Sequence, residues 1–177
     1  MLAERLEKDL DFQAEWKGLE IHPETPPAGM PVERRSSPHM ISVLENIKHL
    51  SRAVGLEMSI QGFRSNSRLS LEGAEFARDK GRFAAYNRAV FEAYFQKGRN
   101  IGDMTVLEGI AREVGLEPTE FREALMDGRY HSVLADTLAE AQRLSIPGVP
   151  AFIFGERVVV GAQPYETLRQ AALEAVG

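Results

Sequence analysis

Ten consecutive residues, Ser145-Ile146-Pro147-Gly148-Val149-Pro150-Ala151-Phe152-Ile153-Phe154, carry no charge and hold two prolines around a glycine. Proline fixes φ, removes a backbone donor, and makes X-Pro the one bond that readily goes cis. The stretch is therefore a stiff turn, and it separates two different periodicities. Before it, Arg129 to Leu144 reads as a long helix with Val133, Leu134, Leu138, Ala141 and Leu144 inward. After it, Ala151 to Phe154 reads as a short apolar strand. Gly155-Glu156 is a two-residue turn, and Arg157 to Val160 is a second strand. Gly161-Ala162-Gln163 then leads to a last helix with Pro164 in its first turn and Leu168, Ala172 and Val176 on one face.

The chain before this region is mostly helical. Leu2, Leu6 and Leu10 form one stripe that starts at the first residue with no N-cap before it. Phe12, Ala14 and Trp16 alternate with Gln13, Glu15 and Lys17, the pattern of a half-buried strand running to about Ile21. His22-Pro23-Glu24-Thr25-Pro26-Pro27-Ala28-Gly29-Met30-Pro31 is extended loop. Met40, Val43, Leu44, Ile47, Leu50 and Val54 have helical spacing, with Ser37 as cap and Gly55 as stop. Leu56 to Phe63 is short and extended. Asn66 or Ser67 opens a helix that ends near Gly81. Arg82 to Lys97 carries Phe83, Tyr86, Val90, Phe91, Tyr94 and Phe95, an aromatic stripe of the kind that fills a core. Asp103 caps a helix stopped by Gly115, and Pro118 starts another that ends at Gly128.

Composition excludes several classes. Hydrophobic residues make up 44% and charged residues 27%, with a net charge of −5. The charges are interspersed and form no basic patch, so nucleic acid is not an expected partner. No apolar run reaches the roughly 18 residues of a membrane span. Met1-Leu2-Ala3-Glu4-Arg5-Leu6-Glu7-Lys8 is amphipathic and charged rather than a signal peptide, so the expected location is the cytoplasm. There is no cysteine, and His22, His39, His49 and His131 are scattered. No metal site is expected.

Strand, two-residue turn, strand and helix is the C-terminal half of a thioredoxin-like domain. Gly148-Val149-Pro150-Ala151-Phe152 and Gly161-Ala162-Gln163-Pro164 resemble the DsbA-like thioredoxin-fold proteins of the FrnE branch. Asn66-Ser67-Arg68-Leu69, Ala74-Glu75-Phe76-Ala77, Phe91-Glu92-Ala93-Tyr94-Phe95 and Asn100-Ile101-Gly102-Asp103 extend the resemblance in order over most of the chain. It implies one α/β domain over 1–177, a thioredoxin-like fold with a helical insertion at about 38–144. The family begins with a strand and a Cys-x-x-Cys at the start of the first helix. This sequence lacks that first strand, the start of that helix and the cysteines, and the expectation is that it begins just after them.

The resemblance also implies a site. Pro150 is expected to be cis and to face the thiol substrate, with Gly148 before it. Val149 would present its N–H and C=O to an extended thiol peptide, or simply pack. Gln163, with Gly161, stands where related kappa-class glutathione transferases and 2-hydroxychromene-2-carboxylate isomerases hold the γ-glutamyl group of glutathione; the alternative is helix capping. Asn66 would lie near the mouth of the site or serve as a plain N-cap. Trp16 reads as core and His22 as a rim residue. The implied function is that of a thiol–disulfide oxidoreductase homologue without its own dithiol, acting on a thiol-containing peptide or a small thiol. The alternatives are a glutathione-dependent isomerase or transferase, and a non-catalytic binding protein that could share strands in a homodimer. Apart from glutathione, no cofactor is expected.

Overall fold

The computed structural model describes residues 2–32, 45, 51, 58 and 62–176. The helix predicted over 38–54, with His39 and His49, lies outside the described residues except for Glu45 and Ser51. The chain divides into two compact units, one of residues 1–21 with 133–177 and the other of residues 22–132.

The 22–132 unit is helical. A short antiparallel pair joins β1 (Met30–Pro31) to β2 (Phe63–Arg64), with Met30 opposite Arg64 and Pro31 opposite Phe63. Among the described residues, four helices and a π turn follow from local signals. Helix α2 (Arg68–Asp79) leads into α3 (Phe83–Phe91), which widens into a π turn at Glu92–Gln96. In α4 (Met104–Glu113), the Asp103 side chain accepts from the Thr105 N–H at 2.8 Å, the cap that the sequence predicts. In α5 (Pro118–Met126), proline fills the first turn and the Glu117 carboxylate accepts from the Glu120 N–H. A fifth helix, α6 (His131–Arg143), starts in this unit.

The core of this unit is aromatic. Phe76, Tyr86, Leu107, Ile110 and Phe121 are buried to within 1%. The Phe121 ring meets Phe76 edge-on at 5.5 Å and Tyr86 at 5.7 Å. Full burial of each such side chain stabilises the unit by about 1.5–3 kcal/mol. The aromatic stripe is only partly core. Tyr86, Val90 and Ala93 are buried, but Phe91 is 52% exposed and stacks on Phe95 at 5.6 Å. Phe91 follows the buried Val90 and so lies about 100° further round the helix, off the face that Tyr86 and Val90 turn inward.

The 1–21 and 133–177 unit contains α1 (Leu2–Leu10), the later part of α6, β3 (Ala151–Phe154), β4 (Arg157–Val160) and α7 (Tyr165–Val176). The hairpin has the predicted boundaries, and its register pairs Ala151 with Val160 and Phe154 with Arg157. Leu6 and Leu168 are buried between α1 and α7. Arg5 lies 3.7 Å over the Tyr165 ring, and the Tyr165 hydroxyl donates to Asp9.

Two predictions fail here. Residues 12–21 form no strand, because among the described residues nothing pairs with them. Their alternation survives as burial: Ala14 and Trp16 are half-buried, while Glu15 and Lys17 are exposed. Lys17 holds the segment to α6 through Glu140 at 2.6 Å. The predicted inward face of α6 is also mostly open. Only Ala141 is buried, while Val133 and Leu138 are 40% and 42% exposed. A stripe records what a helix could bury, not how much of it is covered.

Candidate functional site

The turn after α6 is built around Pro150. The Val149–Pro150 bond is cis. Gly161, at φ +87, lets the chain double back at the far end of β4. Its N–H donates to the Pro150 carbonyl at 2.7 Å and extends the hairpin by one pair. The Gln163 Nε2 donates to the Val160 carbonyl at 3.0 Å, so that side chain ties the start of α7 to the hairpin. Val149 is 53% exposed. A Cβ at Gly148 would meet open space. Gly148, Val149, Pro150 and Gln163 thus share one unit and one end of one hairpin.

Asn66 belongs to the 22–132 unit and sits in a different construction. Its Nδ2 donates to the Thr25 carbonyl at 2.6 Å, and its Oδ1 accepts from the Arg68 N–H at 3.0 Å. Both ends of the amide are used: one clamps the proline-rich loop and the other serves the first residue of α2. The turn at 98–103 joins them. The Ile101 N–H donates to Ser65 Oγ at 3.2 Å, and a Cβ on Gly102 would lie 2.9 Å from the Asn66 carbonyl and 3.0 Å from that of Pro27. Three loops therefore meet where only glycine fits.

One constellation on this loop has no signal in the sequence. Nδ1 of His22 lies 3.0 Å from Glu24 Oε1, and Arg64 reaches the same oxygen at 3.4 Å. A backbone hydrogen bond within Glu24 itself, then His22 and Arg64, holds the Glu24 carboxyl below its ordinary value. His22 and Glu24 are exposed, and Arg64 is half-buried. Arg64 is 40 positions from Glu24, so spacing could not have linked them. His22 itself is exposed. Among the described residues, no three acidic or histidine side chains converge as a metal site.

A cis X-Pro turn feeding an antiparallel hairpin and a closing helix, in a chain that also holds a helical unit, is the pattern of a thioredoxin-like α/β protein of the DsbA type. The DSBA-like thioredoxin domain profile matches residues 1–172, and this chain belongs to that family. It is 32% identical over 167 residues to the uncharacterized protein YwbO of Bacillus subtilis, covering 93% of this chain and 82% of that one. It superposes on a probable DsbA oxidoreductase of Streptomyces coelicolor with a TM-score of 0.85 and 23% identity, over 99% of this chain and 83% of the other. It also superposes on a 2-hydroxychromene-2-carboxylate isomerase with a TM-score of 0.74 and 16% identity, over 98% and 84%. At those identities the two structures establish the shared fold.

Proposed function

We propose that this chain is an FrnE-like thiol–disulfide oxidoreductase homologue whose residues form the peptide-recognising side of the site. The observation that carries the reading is the exposure of Val149, which is 53% open to solvent. Its backbone lies next to Pro150, on a loop held rigid by the Gly161 N–H. An extended peptide bearing a thiol aligns with that backbone, and no charge between Ser145 and Phe154 selects its side chains. Exchange needs a thiolate that attacks one sulfur of a disulfide and expels the other. The 177 residues contain no cysteine. This polypeptide therefore binds such peptides without turning them over.

The test is fluorescence anisotropy of a labelled, extended cysteine-containing peptide. Val149→Pro removes the N–H at the centre of the recognised segment, and affinity should fall at least about tenfold, the worth of a backbone hydrogen bond left unmade at a recognition site. Unchanged affinity, or turnover of insulin disulfides by the purified chain, would sink the reading.

Glutathione is the second reading. It is favoured by the placement of Gln163 at the entry to α7, whose N-terminal amides suit a carboxylate. Saturable glutathione binding that Gln163→Ala abolishes and Val149→Pro leaves intact would favour it over the peptide.

A further inference from the structure

The pair that ends the β3–β4 hairpin is held by one hydrogen bond where its neighbours have two. Antiparallel pairs alternate between those that exchange both bonds and those that exchange none. The two-residue turn makes Phe154 and Arg157 an exchanging pair, and Phe152 with Val159 is the next. Pro150 and Gly161 continue the series, but proline has no N–H to give. That pair keeps only the bond from the Gly161 N–H to the Pro150 carbonyl, at 2.7 Å. Whatever aims this N–H therefore decides how firmly the Pro150 turn, and Val149 before it, are fixed.

Gly161 does not aim its own N–H. It lies just past the end of β4, and at φ +87 it is in the left-handed region where only glycine moves freely. The Val160 carbonyl supplies the missing constraint. Val160 stands opposite Ala151 in a pair that exchanges no bond, so this carbonyl points away from β3. It accepts instead from Nε2 of Gln163 at 3.0 Å. The Val160 carbonyl and the Gly161 N–H belong to one planar, trans peptide unit and point in opposite directions. Holding the oxygen on one side thus aims the N–H on the other. The three groups form a chain: Gln163 amide, Val160–Gly161 peptide, Pro150 carbonyl. Each bond in such a chain polarises the next.

We propose that Gln163 is a positioning residue for the Pro150 turn. It acts through the Val160–Gly161 peptide, holds the Pro150 carbonyl in place, and so sets Val149 for an extended peptide. The consequence for peptides rests on the reading of Val149 given above. The hydrogen bond that Gln163 controls does not depend on that reading.

The test compares the unmodified 177-residue chain with Gln163→Ala and Gln163→Glu. Two quantities are read: the exchange protection of the Gly161 amide, and the affinity for the labelled peptide. Gln163→Ala leaves the Val160 carbonyl to water and the peptide plane free to turn. Gly161 protection should fall about tenfold, the worth of one hydrogen bond. Peptide affinity should fall with it, while Phe152 and Val159 stay protected. Gln163→Glu keeps the shape of the side chain, but a carboxyl donates only when protonated. Relative to the unmodified chain at the same pH, its Gly161 protection and its affinity should be near normal below about pH 4 and drop as the carboxyl ionises. A side chain that merely stabilises the fold would show no such step. Should Gln163→Ala fail to fold by circular dichroism, Gln163→Glu at the two pH extremes carries the test alone. Unchanged Gly161 protection in Gln163→Ala, or no pH step in Gln163→Glu, would overturn the proposal. So would a loss of affinity with Gly161 protection intact, because Gln163 would then touch the peptide itself. If no extended peptide binds the unmodified chain, the reading of Val149 fails, and Gly161 protection by itself decides whether Gln163 holds the turn.

Discussion

The Nε2 of His131 lies 3.1 Å from Oε1 of Glu72, an exposed imidazole against a carboxylate that no solvent reaches. His131 is the first residue of α6, and Glu72 is in the middle of α2. The contact fixes where α6 starts within the helical unit. A buried carboxylate that loses a partner is costly, though the exposure of His131 screens the effect. His131→Ala should lower the stability of the 22–132 unit by about 1–2 kcal/mol, read as a shift of the urea midpoint. An unchanged midpoint would show that the pair contributes nothing.

Gly102 sits where the turn at 98–103 passes the carbonyls of Asn66 and Pro27. Both close atoms are backbone, so neither can swing aside. Gly102→Ala should cost about 1–3 kcal/mol, as for other overpacked sites. It should also loosen the proline-rich loop, which would appear as faster cleavage there by an added protease. Wild-type resistance would mean that the three loops do not meet as described.

The fastening of α1 to α7 is pH-dependent in a definite direction. The hydrogen bond from Tyr165 holds the Asp9 carboxyl below its ordinary 3.8, and the same bond, from the phenol's side, holds Tyr165 above its ordinary 10.0. A depressed carboxylate stabilises above its unfolded value and loses that stabilisation as pH falls through the folded one. A raised phenol stabilises below its unfolded value and loses it as pH rises through the folded one. The Arg5–Tyr165 ring contact should therefore persist between about pH 4 and 10 and fade on both sides, followed by NMR cross-peaks between the two side chains. Tyr165→Phe should remove the alkaline limb of that profile and weaken the acid one, which Arg5 still supports.

Gly148 is the contrasting glycine. A Cβ there meets nothing within 4 Å. Gly148→Ala should change stability by no more than about 0.5 kcal/mol and leave peptide affinity unaltered. A large loss of affinity with intact stability would mean that the peptide runs over Gly148 itself.

Much of this architecture could be read from local signals. The hairpin at 151–160 was legible because its turn, apolar runs and flanking prolines are all local. The caps Asp103 and Pro118 were legible for the same reason. Residues 12–21 show where that ends: alternation fixes which side chains face inward but says nothing of whether a neighbouring strand exists. Leu138 shows the same limit for helices. Phe91 shows it again: it is apolar, but it sits one position past the buried Val90 and therefore off the inward face of α3. The Pro150 turn was legible, but in the other unit the use of both ends of the Asn66 amide was not, since its partner Thr25 is 41 residues away. Nor was the link from Glu24 to Arg64.

The most direct test of the account is to map the backbone amides of the 177-residue chain by NMR while adding an extended cysteine-containing peptide. The account predicts that Val149, Ala151 and Ile153 shift together and saturably, while Phe152, Phe154 and the amides of Phe76 and Phe121 stay in place. Saturable shifts confined to the 22–132 unit, or none at all, would contradict it.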